Sequence, residues 1–310
     1  MEKGIRKKMI MVMILFQQIC TMFLLMAVGF ILFRTGKITE AGSKQMSFLV
    51  LYLSTPMLIL ESMLTPFDKQ RLVDGVWVLL LYSLITILSI LVARLFCQKN
   101  KLAQFGIVYS NVGFMGIPLV RSLLGSEAVF YISLVNVVTT VFCWTYGLYL
   151  MTGSWKNISL RQIILNPCLL AVAAGLLGFI WGVRFPQPVS QAISALGNLN
   201  TGLAMILLGI YICQTKVGTL LTQKNVWIVC LSRLLVIPML GAALLRFCPI
   251  SNTLRLVLLI GACTPSAGLL PMLAQQFDQD YEFGSGVVGI TTVLSLMTMP
   301  FCLSLSGFLV

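Results

Sequence analysis

Histidine is missing altogether, and carboxylates are scarce: nine Asp and Glu in 310 residues. All nine (Glu2, Glu40, Glu61, Asp68, Asp74, Glu127, Asp278, Asp280 and Glu282) fall in loops or at the ends of apolar runs. Proton relays across membranes are usually built from buried Asp, Glu or His, so tight stoichiometric proton antiport is disfavoured. The same scarcity argues against an enzyme working through paired carboxylates or clustered metal ligands, and no cofactor is implied. Nine cysteines are scattered singly, with no C-x-x-C pair, and read as small buried hydrophobes. Only 10% of residues are charged, against roughly a quarter in a soluble protein. Ten-residue alternating strands, which a lipid-facing barrel needs, are absent. The net charge is +12, yet the basic residues form no long run, so nucleic acid is not an expected partner. They read as loop residues that set membrane topology.

What fills the chain instead is apolar sequence. Uncharged runs cover 9–33, 75–93, 102–120, 128–155, 162–183, 185–215, 256–277 and 283–310. A helix crosses the bilayer core in about 20 mostly apolar residues, so the runs have the right length and are too numerous for one buried core. Two further spans are nearly uncharged: 45–64, with Glu61 near its end, and 226–245, with Arg233 inside. The sequence therefore predicts an all-α polytopic membrane protein with ten spans. They lie near 9–33, 45–64, 75–97, 103–123, 128–151, 165–183, 191–213, 226–247, 255–276 and 284–308. The run after MEKGIRKK is too long for a signal peptide and lacks a small-residue cleavage site after it. It reads as the first span.

The chain also matches itself. At an offset of 271 − 118 = 153, Pro118 falls on Pro271 and SNVGFMGIPLV (110–120) falls on CTPSAGLLPML (263–273). The first, third and fifth spans then fall on the sixth, eighth and tenth. With a small shift, Ser54-Thr55-Pro56 meets Asn200-Thr201-Gly202. The halves are 1–155 and 160–310. An odd number of spans in each inverts the second half across the membrane, a mark of secondary transporters. Both sets of loops hold ten Lys and Arg when the termini are counted, but four of these lie in the first eight residues. Without that tail the count puts both termini outside the cytoplasm. A true start at Met9, Met11 or Met13 would reconcile the tail with this orientation. Mass spectrometry finding Glu2–Lys8 in the mature protein would exclude it.

Within the fourth span, Gly113, Gly116 and Pro118 each weaken the helix, and lipid offers the freed backbone groups no partner. Close helix packing through small residues is the plain alternative. The matching ninth span carries Thr264, Pro265, Ser266, Gly268 and Pro271. Two broken helices meeting at midplane would aim helix N-termini at an anion, or unwound carbonyls at a cation. Asn111, Thr264 and Ser266 would add neutral hydrogen-bonding groups. Arg233 lies about 10 Å into its run at 1.5 Å per residue. It is either a counter-charge for a carboxylate or a snorkelling or carbonyl-capping side chain. G-x-G-x-x-G at 284–289 has no strand before it, and Asp278-x-Asp280-x-Glu282 lacks a calcium loop's glycine, so both are set aside.

The stretch NVGFMGIPL (Asn111–Leu119) resembles the signature of the auxin efflux carrier family. So do Asn136 with Trp144-Thr-Tyr-Gly147, Asn166-Pro167, Leu196-Gly-Asn-Leu-Asn-Thr201, Arg233-Leu-Leu-Val-Ile-Pro238 and Pro265-Ser-Ala267. The family's plant members export auxin, and its bacterial members include malonate and malate carriers. The resemblance implies ten helices in two inverted five-helix repeats, like bile-acid symporters and sodium/proton antiporters. Spans 1, 2, 6 and 7 would form a scaffold. The others would form a transport domain in which the broken fourth and ninth spans cross. It places Asn111, Gly113 and the Pro265 region at the crossing, with Ser54 facing it. The implied activity is elevator-type transport of a small organic anion across the plasma membrane. A homodimer through the scaffold helices is also implied. Plant members have proline where Ser110 stands and polar third-span residues that this chain lacks, which weighs against auxin itself. A sodium-coupled symporter and a non-transporting membrane sensor are the alternatives.

Overall fold

The computed structural model describes residues 2–64, 67–155, 161, 164–214 and 221–307. The junction at 156–160 between the expected halves, and position 308 closing the expected tenth span, lie outside these. All regular structure among the described residues is helical. In chain order the helices are α1 (Glu2–Arg34), α2 (Glu40–Met63), α3 (Lys69–Phe96), α4 (Lys101–Val108), α5 (Val112–Leu124), α6 (Ser126–Thr152), α7 (Pro167–Trp181), α8 (Gln187–Gln214), α9 (Lys224–Arg246), α10 (Asn252–Cys263), α11 (Leu269–Gln276) and α12 (Tyr281–Leu305). Seven stretches are long and apolar enough to cross a membrane: 16–34 of α1, and α2, α3, α6, α8, α9 and α12. At the expected fourth and ninth spans the chain instead forms short helix pairs, α4–α5 and α10–α11.

Local chemistry starts these helices. Side-chain oxygens of Thr39, Asp68, Asn100, Asn166, Ser251 and Asp280 each accept from an amide in the first turn that follows. Those amides have no partner within the helix. Pro300 sits inside α12 with no widened turn before it. Before three other prolines inside longer helices, the helix widens by a residue: the amides of Thr55, Ile117 and Ile237 reach back five residues to Val50, Val112 and Ser232. Pro56, Pro118 and Pro238 follow directly. A proline ring clashes with the carbonyl four residues back and leaves it unbonded, and the wider turn makes room for it. A fourth wide turn, Cys143–Gly147 in α6, has no proline behind it.

Packing is closest between α1 and α8. A Cβ added at Gly29 would overlap the backbone of Ile206, and one at Gly209 would overlap the backbone of Met26. Small residues let membrane helices approach to backbone contact. The outer surface is apolar: Leu24, Leu80, Leu95 and Met297 are all more than half exposed, which suits acyl chains and not water. Polar groups turn inward, and Arg233 is the largest fully buried side chain.

Candidate functional site

Between α4 and α5, and between α10 and α11, the chain is extended. The two extended pieces lie antiparallel, bridged at Ser110 and Ser266. The Asn111 amide donates to Pro265 O at 2.8 Å and the Ala267 amide to Tyr109 O at 2.9 Å. Proline explains the break at 264. It disfavours helical backbone in the residue before it, and Thr264 takes φ −63°, ψ 147°. Each break thus satisfies one backbone amide of the other, while the Ser266 amide donates to Thr291 Oγ1 at 3.2 Å.

Two helices end here and two begin. The ending helices, α4 and α10, present carbonyls, and Arg233 takes them. Its Nε donates to Thr264 O at 3.1 Å, one terminal nitrogen donates to Ile107 O at 3.1 Å and Val108 O at 3.3 Å, and the other donates to Ala262 O. At 1% exposure it does not snorkel. Its positive charge sits where two helix C-termini concentrate negative partial charge.

The starting helices face a cavity of about 130 Å³. Three helices begin at its wall: α5 at Asn111–Gly113, α11 at Gly268–Leu269 and α7 at Asn166–Cys168. The α7 start is capped by its own Asn166 side chain, 3.0 Å from the Cys168 amide. The starts of α5 and α11 carry no side-chain cap. No charged residue lines the cavity; its polar wall includes Thr55, Asn111, Asn136, Thr139, Thr140, Asn166 and Gln276. Asn111 is 4% exposed and its Nδ2 has no hydrogen-bond partner. An unpaired buried donor costs about 1–3 kcal/mol, and this one belongs to a residue of the cavity wall. Uncapped helix starts favour negative charge by the same physics.

The expected site residues divide into two groups. Asn111, Gly113 and Gly268 line the cavity. Ser54, Thr264, Pro265, Ser266 and Arg233 are buried behind it, bonded to backbone. Ser54 Oγ donates to Leu196 O at 2.9 Å, Thr264 Oγ1 to Gly261 O at 2.9 Å and Ser266 Oγ to Gly106 O at 2.8 Å. Gly116, Pro118 and Pro271 are also buried: Gly116 closes the wide turn of α5, Pro118 follows it, and Pro271 lies in the first turn of α11. The sequence reading did not select Thr55, Asn136, Thr139, Thr140, Asn166 or Gln276 for the wall. Asn136 carried a usable signal, since an amide inside an apolar membrane helix is expensive.

Comparison with known proteins identifies the family. A model of the membrane transport protein family matches the chain twice, over residues 14–160 and 152–303. An "Uncharacterized transporter" of Methanothermobacter thermautotrophicus is 25% identical over 295 residues, covering 92% of this chain and 96% of that protein. A protein of Rhizobium meliloti named "Putative malonate transporter" is 23% identical over 295 residues, covering 87% of this chain and 90% of its own. With matches across nearly its whole length, this chain is a multi-pass membrane transporter and not an enzyme, and it belongs to the membrane transport protein family, that of the auxin efflux carriers.

Proposed function

We propose that this protein carries a small organic anion, a mono- or dicarboxylate of malonate or malate size, by elevator-type alternating access. One observation carries the reading. The cavity has no charged wall, holds two uncapped helix starts and contains the unpartnered Asn111 amide, while Arg233 occupies the opposite, carbonyl-bearing helix ends. An anion finds donors there, and a cation finds the attractive carbonyls already taken. Size supports the substrate class. An engineered cavity of about 150 Å³ holds benzene, so 130 Å³ suits a three- or four-carbon acid better than a bicyclic indole acid. The malonate name of the Rhizobium relative points the same way.

The architecture proposed with it has two inverted five-helix halves, 1–155 and 160–310. Residues 14–160 and 152–303 matching one family model support the division. So do two contacts between matched pieces: Ser110 bridges Ser266, and Asn200 Nδ2 lies 2.6 Å from Thr55 Oγ1. Pieces related by a pseudo-two-fold axis meet each other where the axis passes. Helices α1, α2, α7 and α8 form the scaffold, which also provides the homodimer surface. The rest form the transport domain, with α4–α5 and α10–α11 crossing inside it. The protein resides in the plasma membrane with both termini outside.

Counterflow in proteoliposomes with labelled malonate, malate and monocarboxylates tests the reading. Asn111→Ala is expected to lower uptake at least tenfold while the protein stays monodisperse. Unchanged uptake and binding would remove Asn111 from the site. One observation favours a sodium-coupled version: Asn200 Oδ1 is a fully buried acceptor with no partner, beside Thr55 on the cavity wall. Counterflow with sodium replaced by choline separates the two.

A further inference from the structure

A second recess, of about 380 Å³, opens between the end of α3, the start of α4 and the end of α6. Its chemistry is the opposite of the neutral cavity's, because Arg94 and Lys101 both line it. Neither is paired with a carboxylate among the described residues, where the recorded ion pairs are Lys44–Glu40 and Arg71–Glu127. Both cations are held in place by aromatic rings. The Arg94 guanidinium carbon lies 5.4 Å from the Tyr146 ring centre, and its Nε donates to the Tyr146 hydroxyl at 3.3 Å. Lys101 Nζ lies 5.7 Å from the Tyr149 ring centre.

The wall behind them is fixed. The Tyr146 hydroxyl donates to Gln104 Oε1 at 3.1 Å, and Gln104, 5% exposed, donates to Cys97 O at 2.9 Å and Gln98 O at 3.1 Å. These bonds use one Arg94 nitrogen, and the two terminal nitrogens of the fork, on a side chain that lines the recess, make no hydrogen bond or ion pair among the described residues. A planar guanidinium fork beside an ammonium is the geometry that binds phosphate oxygens.

We propose that this recess binds the phosphate of an anionic phospholipid headgroup. Two features select a lipid over free phosphate. Trp155, 57% exposed, stacks on Tyr149 at 4.4 Å and completes an aromatic cluster of the kind found at membrane interfaces. Leu91 and Leu95, 57% and 70% exposed, lie four residues apart on α3 beside Arg94 and offer acyl chains an apolar track. Basic recesses between spans bind anionic headgroups elsewhere. The site also adjoins the transport machinery. Tyr146 belongs to the wide turn Cys143–Gly147, whose Cys143 and Trp144 line the neutral cavity. A bound lipid would therefore brace one wall of that cavity from behind.

The test uses the full chain in nanodiscs of phosphatidylcholine alone, of phosphatidylcholine with phosphatidylglycerol, and of phosphatidylcholine with added inorganic phosphate. Melting temperature and lipid retention in native mass spectrometry are read. Phosphatidylglycerol is expected to raise the melting temperature and to stay bound. The Arg94→Gln, Lys101→Gln double variant should lose that rise, with retention lowered roughly tenfold or more. Lys101→Gln alone, at an exposed position, should fold normally and show a partial loss. A melting temperature in phosphatidylglycerol no higher than in phosphatidylcholine alone, or full retention by either variant, would overturn the proposal. The same rise with inorganic phosphate would overturn the assignment to a lipid.

Discussion

Arg233 shows how one buried side chain can tie two broken helices together. Its four carbonyl partners lie 29 to 126 residues away in sequence, so depth in an apolar run was legible but the partners were not. Both roles foreseen for it were plausible at that depth. Only the folded positions of Ile107, Val108, Ala262 and Thr264 separate them. Arg233→Met should leave several buried carbonyls unpaired, at about 1–3 kcal/mol each. We expect it to lose the monodisperse peak in size-exclusion chromatography, with Arg233→Lys in between. A methionine variant as stable as the parent would remove the capping role. The wall residues were hard to read for a different reason. Hydroxyls in membrane helices commonly bond their own backbone, and Thr139 does so, to Val135 O at 3.1 Å. Nothing in its neighbours signals that it also borders a cavity.

Whole helices were more legible than single contacts, because their signals are local. Length and apolarity predicted spans at α1, α2, α3, α6, α8, α9 and α12, and all of these contain stretches long enough to cross. Proline, glycine and asparagine at 111–118 and 264–271 predicted breaks; the chain leaves the helix at 109–111 and 264–268, while Gly113, Gly116 and Pro118 lie inside α5 and Pro271 inside α11. The exact turn chemistry was less visible. A widened turn before Pro118 needs a backbone bond five residues long, which residue type alone does not specify. The α1–α8 contact gives a test at this scale. Gly209→Val would drive a side chain into the Met26 backbone, where overpacking costs typically 1–3 kcal/mol and more where only backbone could yield. Gly202→Val, where nothing lies near the added carbon, should cost far less. Thermal unfolding in detergent would rank the two, and equal melting temperatures would mean that α1 and α8 do not need their close approach.

Across the whole molecule, elevator motion requires the transport helices to slide past the scaffold. Arg121 on α5 and Asn198 on α8 touch across that boundary at 2.9 Å. Cross-linking an Arg121→Cys, Asn198→Cys variant with a bis-methanethiosulfonate spacer, which spans the gap the arginine side chain fills, should stop counterflow, and reduction should restore it. Full transport by a fully cross-linked sample would rule out sliding at this boundary. A sliding domain would also take Arg233 with it, and with it a fixed positive charge. Arg233 is the only buried charged residue among the described ones, so with a monoanion bound the buried interior of the moving body would be close to electrically neutral; empty, it would carry one positive charge through the field. The membrane voltage, worth about 2.3 kcal/mol per charge at 100 mV, would then act on the empty carrier's return and barely on delivery. Exchange of labelled for unlabelled monoanion should accordingly be nearly indifferent to an imposed potential, while net uptake should follow it.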